Sequence, residues 1–238
     1  MFVNLVFGIT QYERSMKMNK FNKLASAGIL MAMSANVVMA DDEHAGMYAV
    51  TITNLTKGQT FTPILAASTK KGSTVYTLGS PASDELEIIA ESGNSQPLAN
   101  KLSSEGNALD TVSSGALLGP GQSVTLNVKM NRQFRHVSIA SMLIPTNDAF
   151  IATNSIRGPK KKGHSVTVYS AVYDSGTEVN DELCVNMPGP FCGGEGFNEA
   201  DGEGFVHINI GMHDIGDLAS SQFDWRNPAA KIVIKRIK

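Results

Sequence analysis

The sequence predicts an all-β fold, built as an antiparallel β-sandwich with one short helical insertion. Short runs that alternate apolar and polar residues recur along the chain. Glycine, proline and asparagine punctuate them, and helical character is confined to one stretch between the second and third runs.

Tyr48-Ala-Val-Thr-Ile-Thr53 opens the series, and Asn54-Leu-Thr-Lys-Gly58 ends it as a turn. Phe61-Thr-Pro-Ile-Leu-Ala66 follows, with Pro63 marking an edge strand or a bulge because proline cannot donate to a ladder. Asp84-Glu-Leu-Glu-Ile-Ile-Ala-Glu91 then reads as a short helix. Its acidic first turn suits the positive end of the helix dipole, and Gly93 stops it. A second short helix covers Gln96 to Ser104, stopped at Gly106, and Thr111 to Gln122 reads as a loop. The remaining strands are Ser123–Met130, Val137–Ile144, Ser165–Tyr169, Gly204–Ile210 and Lys231–Lys235. No internal repeat is visible.

The N-terminus has a different character. Met16-Lys-Met-Asn-Lys20-Phe-Asn-Lys23 is basic, Leu24 to Met33 is apolar, and Val38-Met39-Ala40 supplies the small residues a signal peptidase accepts. Residues 1–40 therefore read as a secretory signal peptide, with initiation at Met16 or Met18, in preference to an uncleaved anchor. The apolar run is short for a membrane span, and no cysteine near the cut offers a lipid anchor. Export to the periplasm or the extracellular space is the expectation. Residues 41–238 form one domain without a transmembrane segment.

Cleavage would remove Arg14, Lys17, Lys20, Lys23 and Glu13. The 20 basic and 22 acidic residues then become 16 and 21, a formal charge of −5. Nucleic acid needs a concentrated basic face, so it is excluded as a partner. The basic cluster Lys160-Lys161-Lys162 reads as a solvated hairpin tip rather than an anion site. Cys184 and Cys192 flank Met-Pro-Gly-Pro in a chain bound for an oxidising compartment. A disulfide is expected, in preference to ligation of a metal by two thiols without a nearby histidine.

Two segments carry the candidate chemistry: Pro145-Thr-Asn-Asp148-Ala-Phe150 and Tyr173-Asp174-Ser-Gly-Thr-Glu178-Val-Asn180. Each places carboxylates in a loop of small, turn-forming residues. Hard cations such as Ca²⁺ need several oxygen ligands at once, which separate loops at one end of a sandwich can supply.

Together with Val50–Thr56, Phe61-Thr-Pro63, Ala90-Glu-Ser-Gly93, Ser138–Phe150 and Trp225–Ile234, these segments resemble a spondin domain, the module of F-spondin, mindin and many bacterial secreted proteins. The resemblance runs from about Met47 to Arg236. It implies an eight-stranded β-sandwich of C2-like layout with a divalent cation, calcium in the animal members, at one end. Carried over by motif, the metal carboxylates are Asp148, Asp174 and Glu178, the last standing where the family pattern has Asp. A further acidic ligand of animal members falls around Asn127 to Asn131, where this sequence has no carboxylate. The resemblance also implies a cell-adhesion or other extracellular interaction module with a protein or glycan ligand.

Other polar clusters fit ordinary roles better. Asp201-Gly-Glu203-Gly lacks the full Asp-x-Asp-x-Asp-Gly loop and reads as a hairpin turn. His207 and His213 match no zinc spacing and are expected to be hydrogen-bonded or solvated. Trp225 is expected to cover the sandwich end rather than to stack on a sugar. No nucleophile elbow, His-Glu-x-x-His motif or phosphate-cradling glycine loop is present, so catalysis is not expected. The alternative is a secreted, carbohydrate-active hydrolase with a metal-organised loop end.

Overall fold

A computed structural model of the chain describes residues 45–197 and 202–238. The expected signal peptide and Asp201 lie outside them. Strands β1 (Gly46–Asn54), β2 (Thr60–Phe61) and β3 (Leu65–Thr69) precede helices α1 (Asp84–Ser92) and α2 (Gln96–Ser104). Strands β4 (Ala108–Ser113), β5 (Ser123–Met130), β6 (His136–Ile144), β7 (Ala149–Arg157), β8 (Ser165–Ser170) and β9 (Val172–Asp174) follow. After a 3-10 turn at Cys184–Asn186 come β10 (His207–Ile208), α3 (Ser220–Phe223) and β11 (Ala230–Arg236).

The strands form two antiparallel sheets, one ordered β5-β1-β11-β8 and the other β10-β9-β7-β6-β3-β4, with β2 also paired to β6. Eleven strands thus stand among the described residues where the resemblance implies eight. Pro63 accounts for one extra: it divides the expected strand Phe61–Ala66 into β2 and β3. The three-residue β9 and the edge strand β4, which replaces the start of the expected loop, account for the other two, and the expected strand Gly204–Ile210 is shortened to β10.

Burial follows from this layering. In the smaller sheet, β1 alternates strictly, with Tyr48, Val50 and Ile52 inward and Ala49, Thr51 and Thr53 outward. In the larger sheet, β3 and β6 are buried at every position because both of their faces are covered. One face of the larger sheet packs on the smaller through Val137, Ile139, Leu143, Ala149 and Ile151. The other packs through Ala67, Ala140, Phe150 and Ala152 on Leu86, Ile89, Leu98 and Leu102 of the two helices.

Those helices begin and end as the sequence predicts. Ser83 caps α1 by accepting a hydrogen bond from the Leu86 N–H at 3.4 Å, and three acidic residues fill the first turn. Gly93 closes it at φ 71°, so close to Thr62 that a Cβ there would sit 2.6 Å from that side chain.

Strand β7 escapes sequence patterning. Its register on β6 shifts between Val137 and Ile139, and Ser155 takes φ 51°, so the apolar alternation breaks in the middle of the strand. The lysine cluster is exposed as expected, but it does not cap a hairpin: it lies on the connection from β7 in one sheet to β8 in the other. Cys184 and Cys192 are disulfide-bonded. Trp225 is buried in the inter-sheet core. No helix among the described residues is long and apolar enough to cross a membrane.

Candidate metal centre

The β6–β7 turn carries Asp148, and the segment after β9 carries Glu178, with Asp174 closing β9 itself. Ladder register brings the strands' ends into line: Ala149 stands opposite Asp174, and Asp174 stands opposite His207 of β10. Residues directly opposite in an antiparallel pair share a face. Asp174 and His207 therefore project to the side of Val172 and Ala149, which is the inter-sheet side.

All three predicted carboxylates are buried, with Asp148 and Asp174 at 0% exposure. Oδ2 of Asp148 accepts hydrogen bonds from Ser175 Oγ (2.8 Å), Thr177 N (2.8 Å) and Glu178 N (3.2 Å), tying the two loops together. Gly176 lets the segment before β10 close on the same loop: it has φ 70°, and a Cβ there would lie 2.4 Å from the Phe205 carbonyl. Asp174 accepts from Gly176 N through Oδ1 and from Asn180 and Asn209 through Oδ2. Neighbouring acids are absorbed differently. Asp181 takes hydrogen bonds from Asn147, Leu183 and Asn186, and Glu182 from the backbone of His213 and Ile215. They fix the surrounding loops.

These carboxyls sit in a hostile field. Burial pushes Asp148 above the usual carboxylate range, against the hydrogen bonds it receives, and the charge of Glu203 adds to the rise. Burial and then the Asp148 charge raise Asp174 to about 7. Burial, Glu91, Asp148 and Asp181 raise Glu178 to about 8. Glu91 belongs to the quoted Ala90-Glu-Ser-Gly93 segment, and α1 delivers it, buried, to this end of the sandwich.

The residues fit a divalent cation. Oδ1 of Asp148 is buried with no hydrogen-bond partner among the described residues, a costly state for a carboxylate oxygen and a natural one for a metal ligand. A hard cation there would be held by oxygen donors and would add positive charge beside Asp148 and Glu178, where His207 reaches only Asp174. The three carboxylates do not, however, make up the most compact ligand group among the described residues. That group is Asp174, Glu203 and His207, whose ligand atoms lie within 4.8 Å of one another. The sequence reading assigned Glu203 to a turn and His207 to an ordinary role. Strand register sets His207 opposite Asp174, and Glu203, four residues earlier, reaches the same imidazole.

Protonation provides a check on the cluster. Asp174 and Glu178 hold their protons more tightly folded than unfolded, so without metal the folded state binds more protons. Their contribution is fully present below the ordinary values of 3.8 and 4.5 and is lost as pH rises through about 7 and 8. A cation held there would replace those protons. Calcium should therefore raise the melting temperature more at pH 8.5 than at pH 5, read as paired melting curves in calcium and in chelator. Calcium increments that do not change between those pH values would contradict this coupling.

The Spondin_N family model matches residues 39–180. The chain belongs to the spondin family. The match contains Asp148, Asp174 and Glu178 and ends at Asn180, so Glu203, His207 and the Trp225–Ile234 segment lie beyond it. No curated protein matches the chain.

Proposed function

We propose that this spondin-family chain is an exported extracellular interaction module, used in adhesion to a protein or glycan, whose sandwich end is ordered by calcium at Asp148, Asp174 and Glu178. The observation that carries the metal reading is the bare, buried Oδ1 of Asp148 beside two further buried carboxylates. Family membership and the Cys184–Cys192 bond support export.

The loops around the carboxylates support the interaction reading. Val185, Phe191, Ile210 and Ile215 are each more than half exposed and so are open to a partner. A catalytic reading draws less support. Clefts of about 510, 470 and 410 Å³ lie against the helices and near the Arg132–Arg135 turn, and Asp148, Asp174 and Glu178 line none of them. The purified protein should be retained on glycan or protein arrays in calcium and released by chelator, with the ligand intact. Release of hydrolysed product would overturn the module reading in favour of a hydrolase.

A further inference from the structure

We propose that Asp174, Glu203 and His207 form a binding position for a zinc-class divalent cation, sharing Asp174 with the calcium position but otherwise separate from it. The imidazole orientation is the first support. His207 Nδ1 lies 3.0 Å from the Ile208 carbonyl, which can only accept, so Nδ1 carries a proton and donates. A metal-binding histidine is held in the same way, one ring N–H on a carbonyl and the other nitrogen free to ligate.

Nε2 is that other nitrogen. It is buried, makes no hydrogen bond among the described residues, and stands 3.4 Å from Asp174 Oδ1 and 3.5 Å from Glu203 Oε2. In a neutral ring its lone pair would face two carboxylate oxygens with nothing positive between them. Ligands about 2.0–2.2 Å from a tetrahedral Zn²⁺ lie roughly 3.3–3.6 Å apart, which matches both distances from Nε2, and the three ligand atoms all lie within 4.8 Å of one another.

Lone-pair accounting agrees. Oδ2 of Asp174 already accepts from both Asn180 and Asn209, whereas Oδ1 accepts only from Gly176 and has capacity left on the side of His207. A nitrogen donor selects against Ca²⁺, which takes oxygen ligands, and suits zinc and its neighbours. The side chains of Glu203 and His207 are 42% and 23% exposed, so a metal can enter from solvent and keep a water as its fourth ligand.

The test is calorimetric titration of the chelator-stripped full protein with ZnCl₂, alongside the visible absorption of a Co²⁺-loaded sample. One zinc per chain is expected, with the intense bands of four-coordinate cobalt. His207→Gln should weaken zinc at least about tenfold and abolish those bands while leaving the calcium-dependent melting shift in place. Glu178→Gln should do the reverse. If His207→Gln does not fold, Glu203→Gln, at a more exposed position, should show the same selective loss of zinc. Absence of zinc uptake by the unmutated protein would overturn the proposal and make His207 an imidazolium paired with its two carboxylates. Undiminished zinc affinity in the histidine and glutamate variants would overturn it equally. Loss of calcium binding alone would refute the calcium reading and leave this position standing.

Discussion

Asp174→Ala is expected to abolish the rise in melting temperature that calcium produces and to destabilise the protein by about 3–5 kcal/mol. The carboxylate is fully buried and accepts from the Gly176 backbone and from the side-chain amides of Asn180 and Asn209. Truncation leaves these donors facing a cavity, and each buried unsatisfied group costs about 1–3 kcal/mol. At roughly 2–4 °C per kcal/mol for a domain of this size, melting falls by about 6–20 °C in chelator, and in calcium by the lost calcium increment as well. Differential scanning calorimetry in calcium and in chelator separates the two effects. The fall comes from the lost acceptor and appears in both buffers, whereas the lost calcium response comes from the lost ligand. A variant that still melts higher in calcium by the unmutated increment would remove Asp174 from the site.

Phe150→Ala should be similarly destabilising, by about 3–5 kcal/mol, but with the opposite signature toward metal. Phe150 is fully buried on the helix-covered face of the larger sheet, in edge contact with Tyr76 at 5.7 Å and tilted against Tyr173 at 5.6 Å. Removing the ring opens a cavity between β7 and the helices. Asp174 projects from the other face, so the calcium increment should survive in Phe150→Ala. Phe150→Leu, which refills most of the volume, should recover more than half of the loss in urea denaturation. A Phe150→Ala variant without a calcium response would mean that the helical layer, and not strand register alone, holds the carboxylates in place.

The parts of the fold legible in the sequence are those whose signals are local. The acidic first turn and Gly93 bracket α1 because dipole charge and a left-handed stop act within one turn. The threonine alternation of β1 announces a half-buried strand. Strand β7 was illegible because a bulge at Ser155 breaks its period, and β4 because its burial pattern lacks a clean alternation. At the site, Asp148, Asp174 and Glu178 could be picked out because each sits in a quoted motif. Glu91 also sits in one, yet its helical setting hid its proximity to Glu178. Glu203 sat in only a fragment of a calcium-loop pattern, and His207 had no local signature. A two-residue strand pairing His207 with Asp174 brings them in, and single-sequence reading cannot see such a pairing.

A crystal structure of the full protein grown in millimolar calcium tests the central claim most directly. The account predicts an ion whose anomalous signal places it about 2.3–2.6 Å from Asp148 Oδ1 and from carboxylate oxygens of Asp174 and Glu178. A well-ordered site with no ion, and with Asp148 Oδ1 hydrogen-bonded to water or to another carboxyl instead, would contradict it.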